Sequence, residues 1–213
     1  MGSSGTLRSL AFTIAILAIA LSAFAAATSG FKALTSDGIR RVELQRQPRS
    51  LPQLLLVDEQ SRELSLSSYG AAASKVTFAT LIYVRCQTIC RTSAAGQSWL
   101  QHAIQVKSLQ DKVRLLTLSF DPANDTPQVM AAHARRMDAD PAIWRFATLR
   151  DPADLPTLLN TFGIVVLPDG LGGYSHNAAL FLIDQNGKLS RAYDIDRPDI
   201  ALADYLAGNG NQE

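Results

Sequence analysis

The sequence predicts an α/β fold, a central mixed sheet flanked by helices, with an N-terminal hydrophobic segment outside it. Three observations carry this reading. Residues 75–84 (KVTFATLIYV) and 113–120 (VRLLTLSF) are near-continuous apolar, β-branched runs, the pattern of central strands buried on both faces. Each is followed by a stretch with helix signals, so strand and helix alternate. Residues 177–184 and 188–193 are two further strand-like runs joined through Asn186-Gly187, a hairpin turn.

The elements follow in chain order. No residue from Ser9 to Phe31 is charged, and residues 10–27 are interrupted only by Thr13 and Ser22. Residues 1–28 are therefore read as an export signal or a membrane anchor. Arg8 supplies the positive n-region, and Ala23-Phe24-Ala25 or Ala25-Ala26-Ala27 offers small residues at cleavage spacing. Lys32, Arg40, Arg41 and Arg46 follow the segment, a charge bias that favours a cytoplasmic domain. The Ala-rich cleavage pattern outweighs it, and the domain is expected on the extracytoplasmic, periplasmic-type side. Residues 29–52 mix Arg, Gln, Ser and Pro without a period and read as a linker; 53–208 read as one domain and 209–213 as a tail.

Within the domain, residues 54–58 and 62–66 flank a short polar connection and read as a β-hairpin. The strand at 75–84 leads into a helix over about 88–110, with Ala94, Trp99, Ala103, Ile104 and Val106 as its apolar side. After the strand at 113–120, Asp125-Thr126-Pro127 opens a helix that runs to Met137. Residues 144–149 read as a short strand, and Asp151-Pro152 caps a helix that Gly163 closes, with Asp154 near its positive end. The late hairpin follows as an antiparallel edge, and a helix over 198–207 ends the domain. This order fits a thioredoxin-like sandwich.

The charge balance narrows function. The chain has 213 residues with 20 Lys and Arg against 19 Asp and Glu, a net charge of +1, which lacks the basic excess of a nucleic-acid binder. Two cysteines, Cys86 and Cys90, are too few for a disulfide-stapled scaffold or a four-cysteine zinc site. They lie between a buried strand and the start of a helix. Helix-terminal amides and the neighbouring Arg85 and Arg91 favour an anionic sulfur, hence a nucleophile or a metal ligand. If Cys86 joins the first helical turn, the spacing of four places both sulfurs on one helix face, where they chelate a soft ion or close into a disulfide. A static disulfide or two buried thiols is the structural alternative. Two thiolates leave a copper ion under-coordinated, so a third ligand is sought elsewhere. His102 and His133 fall within helices and read as surface imidazoles, whereas His176 sits in a glycine-containing loop leading into a strand, where chemistry collects in such folds.

Taken together, four segments resemble the Sco (SenC) family of copper-binding proteins, thioredoxin-like, usually membrane-anchored and associated with cytochrome c oxidase assembly. They are Tyr83-x-x-Cys86-x-x-x-Cys90, the loop Ser119-Phe120-Asp121-Pro122-x-x-Asp125-Thr126-Pro127, Tyr174-Ser175-His176, and the strand ending at Asp184 with Asn186-Gly187-Lys188. The resemblance covers about residues 50–207. It implies that Cys86, Cys90 and His176 bind one copper ion, Cu(I) or Cu(II). It further implies that the domain delivers copper to, or reduces cysteines of, the dinuclear copper site of oxidase subunit II or another exported cuproprotein. Asp121 and Asp125 match the family's acidic loop, behind the ligands or at the partner contact, with a helix cap as the alternative for Asp125. Gln87 and Arg91 stand where the family commonly carries proline, and Asn177 where serine is usual.

The competing reading is a membrane-associated thiol-disulfide oxidoreductase acting on an exported client, with one cysteine attacking and the other resolving. Such enzymes place a cis-proline just before the strand facing their cysteines. Ser175 and His176 occupy that place here and the nearest upstream proline is Pro168, which favours metal. A thiol peroxidase ranks lower, given Tyr83 three residues before Cys86. Gly170, Gly172 and Gly173 precede a strand rather than a helix and lack a following Lys-Ser/Thr, against a phosphate loop.

Overall fold

The computed structural model describes residues 3–28, 35–69, 75–86, 89–170 and 172–209; within helices, the side chains of 3–7, 36, 89–91 and 209 lie outside the description. The chain divides into two compact units, residues 1–43 and 44–213. In the first, α1 (Ser3–Ala27) contains the 20-residue segment Arg8–Ala27, long and apolar enough to cross a membrane, since 20 residues of helix span about 30 Å.

Where the sequence reads as an aperiodic linker, residues Ser36–Arg46 form a helix, α2. Local polar signals rather than an apolar stripe make it. The Thr35 side chain accepts from Gly38 N–H at 3.0 Å, and Asp37 and Arg46 stand at the ends of the helix that favour their charges. Farther on in the same stretch, β1 (Arg49–Ser50) is a short strand.

The second unit is built on an eight-stranded sheet. Its strands are β1, β2 (Leu55–Asp58), β3 (Glu63–Ser65), β4 (Val76–Ile82), β5 (Val113–Ser119), β6 (Trp144–Leu149), β9 (Leu180–Ile183) and β10 (Lys188–Tyr193), with β7 (Val166–Pro168) and β8 (Tyr174–His176) forming a separate pair. The spatial order is β1-β10-β9-β4-β5-β6-β2-β3. β4, β5 and β6 run parallel and every other pair is antiparallel, the mixed sheet expected. The expected edge position of the late hairpin is corrected: β1 pairs with β10 through Arg49 and Leu189 and forms the edge itself. Arg49 also donates to the carbonyls of Asn160 and Thr161, which anchors this outer strand.

Alternation along β4 explains its continuous apolar run. Val76 and Phe78 enter one core with Leu100 and Ile104 of α3 (Ile89–Val106), Met130 of α4 (Pro127–Arg136), and Ala201 and Leu202 of α6 (Pro198–Asn209). Ala79 and Leu81 enter a second core on the opposite face with Leu158 and Phe162 of α5 (Leu155–Phe162). Helices cover both faces, so both sets of side chains are apolar. On α3 the buried side differs from the one expected. Ser93, Gln97, Leu100 and Ile104 face the sheet at helical spacing, while Trp99 and Val106 are exposed. Gln97 is tolerated inside because its amide donates to the Leu116 carbonyl and its oxygen accepts from Thr117 Oγ1.

Phe181 of β9 and Phe162 meet edge to face at 5.0 Å between ring centroids, both fully buried. Phe181→Ala is therefore expected to lower stability by about 3–5 kcal/mol, read as a fall in the urea midpoint at unchanged slope.

Two features position the site. The C-terminal ends of the adjacent parallel strands β4 and β5 carry Tyr83 and Phe120 to one end of the sheet, where the Phe120 N–H donates to the Ile82 carbonyl at 2.9 Å. Beyond α5, β7 (Val166–Pro168) and β8 (Tyr174–His176) form a small antiparallel hairpin that sequence reading took for a loop. Gly170 and Gly172 at its tip have φ of +76° and +84°, the left-handed region that only glycine enters without strain.

Candidate metal centre

Beyond β4, residues 83–86 turn, closed by Cys86 N–H donating to the Tyr83 carbonyl at 3.1 Å. Val84 N–H leaves the ladder and donates to Asp125 Oδ2 at 2.9 Å. Helix α3 begins at Ile89, so Cys86 lies outside it and Cys90 within its first turn. The condition for two sulfurs on one helix face, Cys86 within the first helical turn, is not met, because Cys86 lies in the turn that follows β4. Cys86 is half-buried and packs against the core on the α5 face. Gln87, Thr88 and the side chains of Cys90 and Arg91 lie outside the described residues.

Behind this turn stands the acidic loop. Asp125 accepts from Val84 N–H and from Ser119 Oγ at 2.6 Å; Ser119 Oγ in turn accepts from Asp121 N–H at 2.9 Å. Asp121 holds the Asn124 amide with both carboxylate oxygens, at 2.9 and 3.0 Å, and faces the Arg85 guanidinium at 3.7 Å. The exposed Arg85 thus directs its charge at Asp121. Thr126, not Asp125, caps α4, its Oγ1 accepting from Val129 N–H. Burial raises the Asp125 carboxyl above its ordinary value, with a smaller push from the Asp121 charge; the hydrogen bonds from Ser119 and Val84 and the Arg85 charge oppose it.

His176 lies in β8 opposite Val166. Its Nδ1 is 2.9 Å from the Asn177 carbonyl, which can only accept, so Nδ1 carries the proton and Nε2 is the nitrogen a metal would engage. Burial lowers its pKa, favouring the neutral ring that coordination requires, against a smaller upward push from the Asn177 bond. Asn177 braces the hairpin, its Oδ1 accepting from Val165 N–H at 2.8 Å and its amide donating to the Gly163 carbonyl. Sequence reading noted Asn177 only as a departure from the family pattern.

An aromatic cluster joins these parts. The His176 ring lies 4.9 Å from Phe120 and 5.9 Å from Tyr83, both edge to face, and Tyr174 lies 5.2 Å from Tyr83. The fold thus brings Cys86, the acidic loop and His176 to one end of the sheet, around Tyr83. Among the described residues no three His, Cys, Asp or Glu side chains stand together as a metal-binding group; the Cys90 sulfur is outside them. The donor chemistry nonetheless fits a soft ion: a sulfur held in a turn and, at the same end of the sheet, a neutral imidazole of fixed tautomer.

A cavity of about 280 Å³ opens beside Cys86, lined also by Tyr83, Ala94, His133 and Met137. His133 is half-buried there with its ring against Phe146, rather than a surface imidazole, and burial together with the Arg136 charge lowers its pKa. His102 is exposed as expected.

Comparison with known proteins places these features in a family. The SCO1/SenC family profile matches residues 45–208. The SCO1 protein homolog of Bacillus subtilis is 26% identical over 139 residues, covering 64% of this chain and 69% of that protein. The solved structure of Bradyrhizobium japonicum ScoI with copper bound has a TM-score of 0.58 at 24% identity, covering 73% of this chain and 96% of that one. BsSco, described with a disulfide switch and as a member of the Sco family of cytochrome c oxidase assembly proteins, has a TM-score of 0.63 at 23% identity, covering 74% and 91%.

Proposed function

Because this chain belongs to the SCO1/SenC family, we propose that it carries one copper ion on the sulfurs of Cys86 and Cys90 and on His176 Nε2, and hands it to a cuproprotein. The client we propose is cytochrome c oxidase subunit II or another exported copper protein. The observation that carries the reading is convergence. Cys86 and His176 are 90 residues apart, 176 − 86, yet the His176 ring lies 5.9 Å from Tyr83, whose carbonyl closes the Cys86 turn.

The protein's part is to present a reduced dithiol and a neutral imidazole. Thiolate ligands form only from the reduced pair and lose their protons on binding, so loading depends on redox state and pH. The ion contributes affinity for sulfur and imidazole donors, which makes it transferable to a client site of the same chemistry. The half-buried position of Cys86 leaves that sulfur within reach of such a client.

Titration of Cu(I) into the reduced full-length chain in detergent micelles should give one-to-one binding, and Cu(II) binding should weaken in His176→Ala. Unchanged Cu(II) affinity in that variant, with persistent disulfide reductase activity, would hand the site to the oxidoreductase reading. The apolar Arg8–Ala27 helix supports attachment to a membrane, and we place the domain on the extracytoplasmic side, where an exported client would meet it. A reporter fused after Glu213 should be active when it requires export and silent when it requires the cytoplasm; the reverse pattern overturns that topology.

A further inference from the structure

We propose that the Tyr83 hydroxyl is a strap that fixes His176 against the Cys86 turn and so sets affinity for Cu(II) selectively over Cu(I). This rests on the copper reading above and goes beyond it, since it assigns a positioning role to a residue that is not a ligand.

Tyr83 grips both halves of the site. Its backbone carbonyl accepts from Cys86 N–H, while its hydroxyl, at the far end of the same residue, accepts from Tyr174 N–H at 3.2 Å and donates to the Tyr174 carbonyl at 3.3 Å. Tyr174 faces Pro168 across the hairpin. Asp169 N–H donates to the Gly173 carbonyl, so the next pair, Pro168 and Tyr174, is a non-hydrogen-bonded one, and both backbone polar groups of Tyr174 turn away from β7 to one phenolic oxygen, two residues from His176. Gly173 keeps the approach open. A Cβ there would lie 3.0 Å from the Tyr83 hydroxyl and 2.7 Å from Asp169 Oδ2. The Tyr83 and Phe120 rings meet the imidazole edge to face, so the strap sets where the hairpin stands and the rings set its tilt.

Selectivity follows from ligand preference. A soft Cu(I) ion draws most of its affinity from the two thiolates, whereas Cu(II) favours nitrogen and oxygen donors in a defined geometry, so Cu(II) depends more strongly on where the imidazole stands. Loss of an outer-shell partner that orients a ligand costs roughly 10–100-fold in metal affinity.

The test compares Tyr83→Phe, Gly173→Ala and His176→Ala with the parent full-length chain in detergent. Tyr83→Phe keeps the ring packing and removes only the hydroxyl, and Gly173→Ala obstructs the same contact from the hairpin side. Both should lower Cu(II) affinity by about 10–100-fold and alter the nitrogen hyperfine pattern in the Cu(II) electron paramagnetic resonance spectrum, with Cu(I) affinity moving less than about threefold. In copper-free protein, exchange of the Tyr174 amide should accelerate at least about tenfold in Tyr83→Phe, because a protecting acceptor is gone. If His176→Ala lowers Cu(II) affinity but Tyr83→Phe does not, or if Tyr83→Phe weakens both oxidation states equally, the strap is overturned while the copper site stands. If His176→Ala leaves Cu(II) affinity unchanged, the copper reading fails and the strap with it.

Discussion

Cys86→Ser is expected to abolish tight copper binding, with a loss well beyond the roughly 10–100-fold that an outer-shell substitution costs. A serine hydroxyl is not deprotonated at neutral pH and is a hard donor, so the variant exchanges a soft anionic ligand for a neutral oxygen. The fold should tolerate the change. Cys86 is half-buried, its backbone N–H remains bonded to the Tyr83 carbonyl, and serine is close to cysteine in size. Cys90→Ser should behave alike, whereas His176→Ala should cost Cu(I) far less because a dithiolate remains. The rank order of Cu(I) affinities is the measurement, taken by competition with a chelator of known affinity on the reduced chain. Retention of Cu(I) affinity within about threefold in Cys86→Ser would remove this sulfur from the ligand set, since Cu(I) draws its affinity chiefly from soft thiolates and the variant has only one left.

The parts of this site differed in how far the sequence revealed them. β4 and β5 were readable because both faces are buried, which leaves an uninterrupted apolar run. The β9–β10 hairpin was readable because Asn186-Gly187 meets a local demand, and Gly187 does take a positive φ of 74°. The β7–β8 hairpin was hidden. Its strands are three residues each, one ends in Pro168, and its connection is rich in glycine, so no alternation develops. For α2 the stabilising contacts are polar and local, and an apolar period was the wrong signal to seek. The proposed ligands stand in the motif itself, but Tyr83 and Asn177 hold the site by contacts to backbone groups of other elements. Tyr83 and Tyr174 are 91 residues apart in the chain, and no local pattern encodes that pairing. Asp125 was ambiguous for a related reason. Asp-Thr-Pro is a good helix start whichever residue caps, and the partners of the carboxylate come from the turn after β4 and from the end of β5.

Replacing that carboxylate should have the second large effect. In Asp125→Ala, Val84 N–H and Ser119 Oγ both lose their acceptor in a buried setting, at about 1–3 kcal/mol for each donor, so the variant should unfold at markedly lower urea. Copper affinity should fall with it, because Val84 no longer ties the Cys86 turn to the acidic loop. Asp125→Asn separates charge from hydrogen bonding: it keeps an oxygen acceptor but cannot titrate. Burial raises the Asp125 carboxyl above 3.8, so the folded protein binds that proton more readily than the unfolded chain does. The stability this group contributes is fully present below 3.8 and is lost as pH rises through the raised folded value. Asp58 acts in the opposite direction. Burial alone would raise its carboxyl, but hydrogen bonds from Arg62 and Gln60 and the Arg145 charge outweigh it, so its contribution disappears as pH falls. Because Asp58 is common to both proteins, it cancels in the difference. The stability of the parent relative to Asp125→Asn should therefore be greatest at acid pH and decline as pH rises above 3.8, measured by urea unfolding of copper-free protein at several pH values. A difference that is flat or grows with pH would mean that the Asp125 charge is well accommodated, and that its hold on the Cys86 turn costs the fold nothing electrostatically.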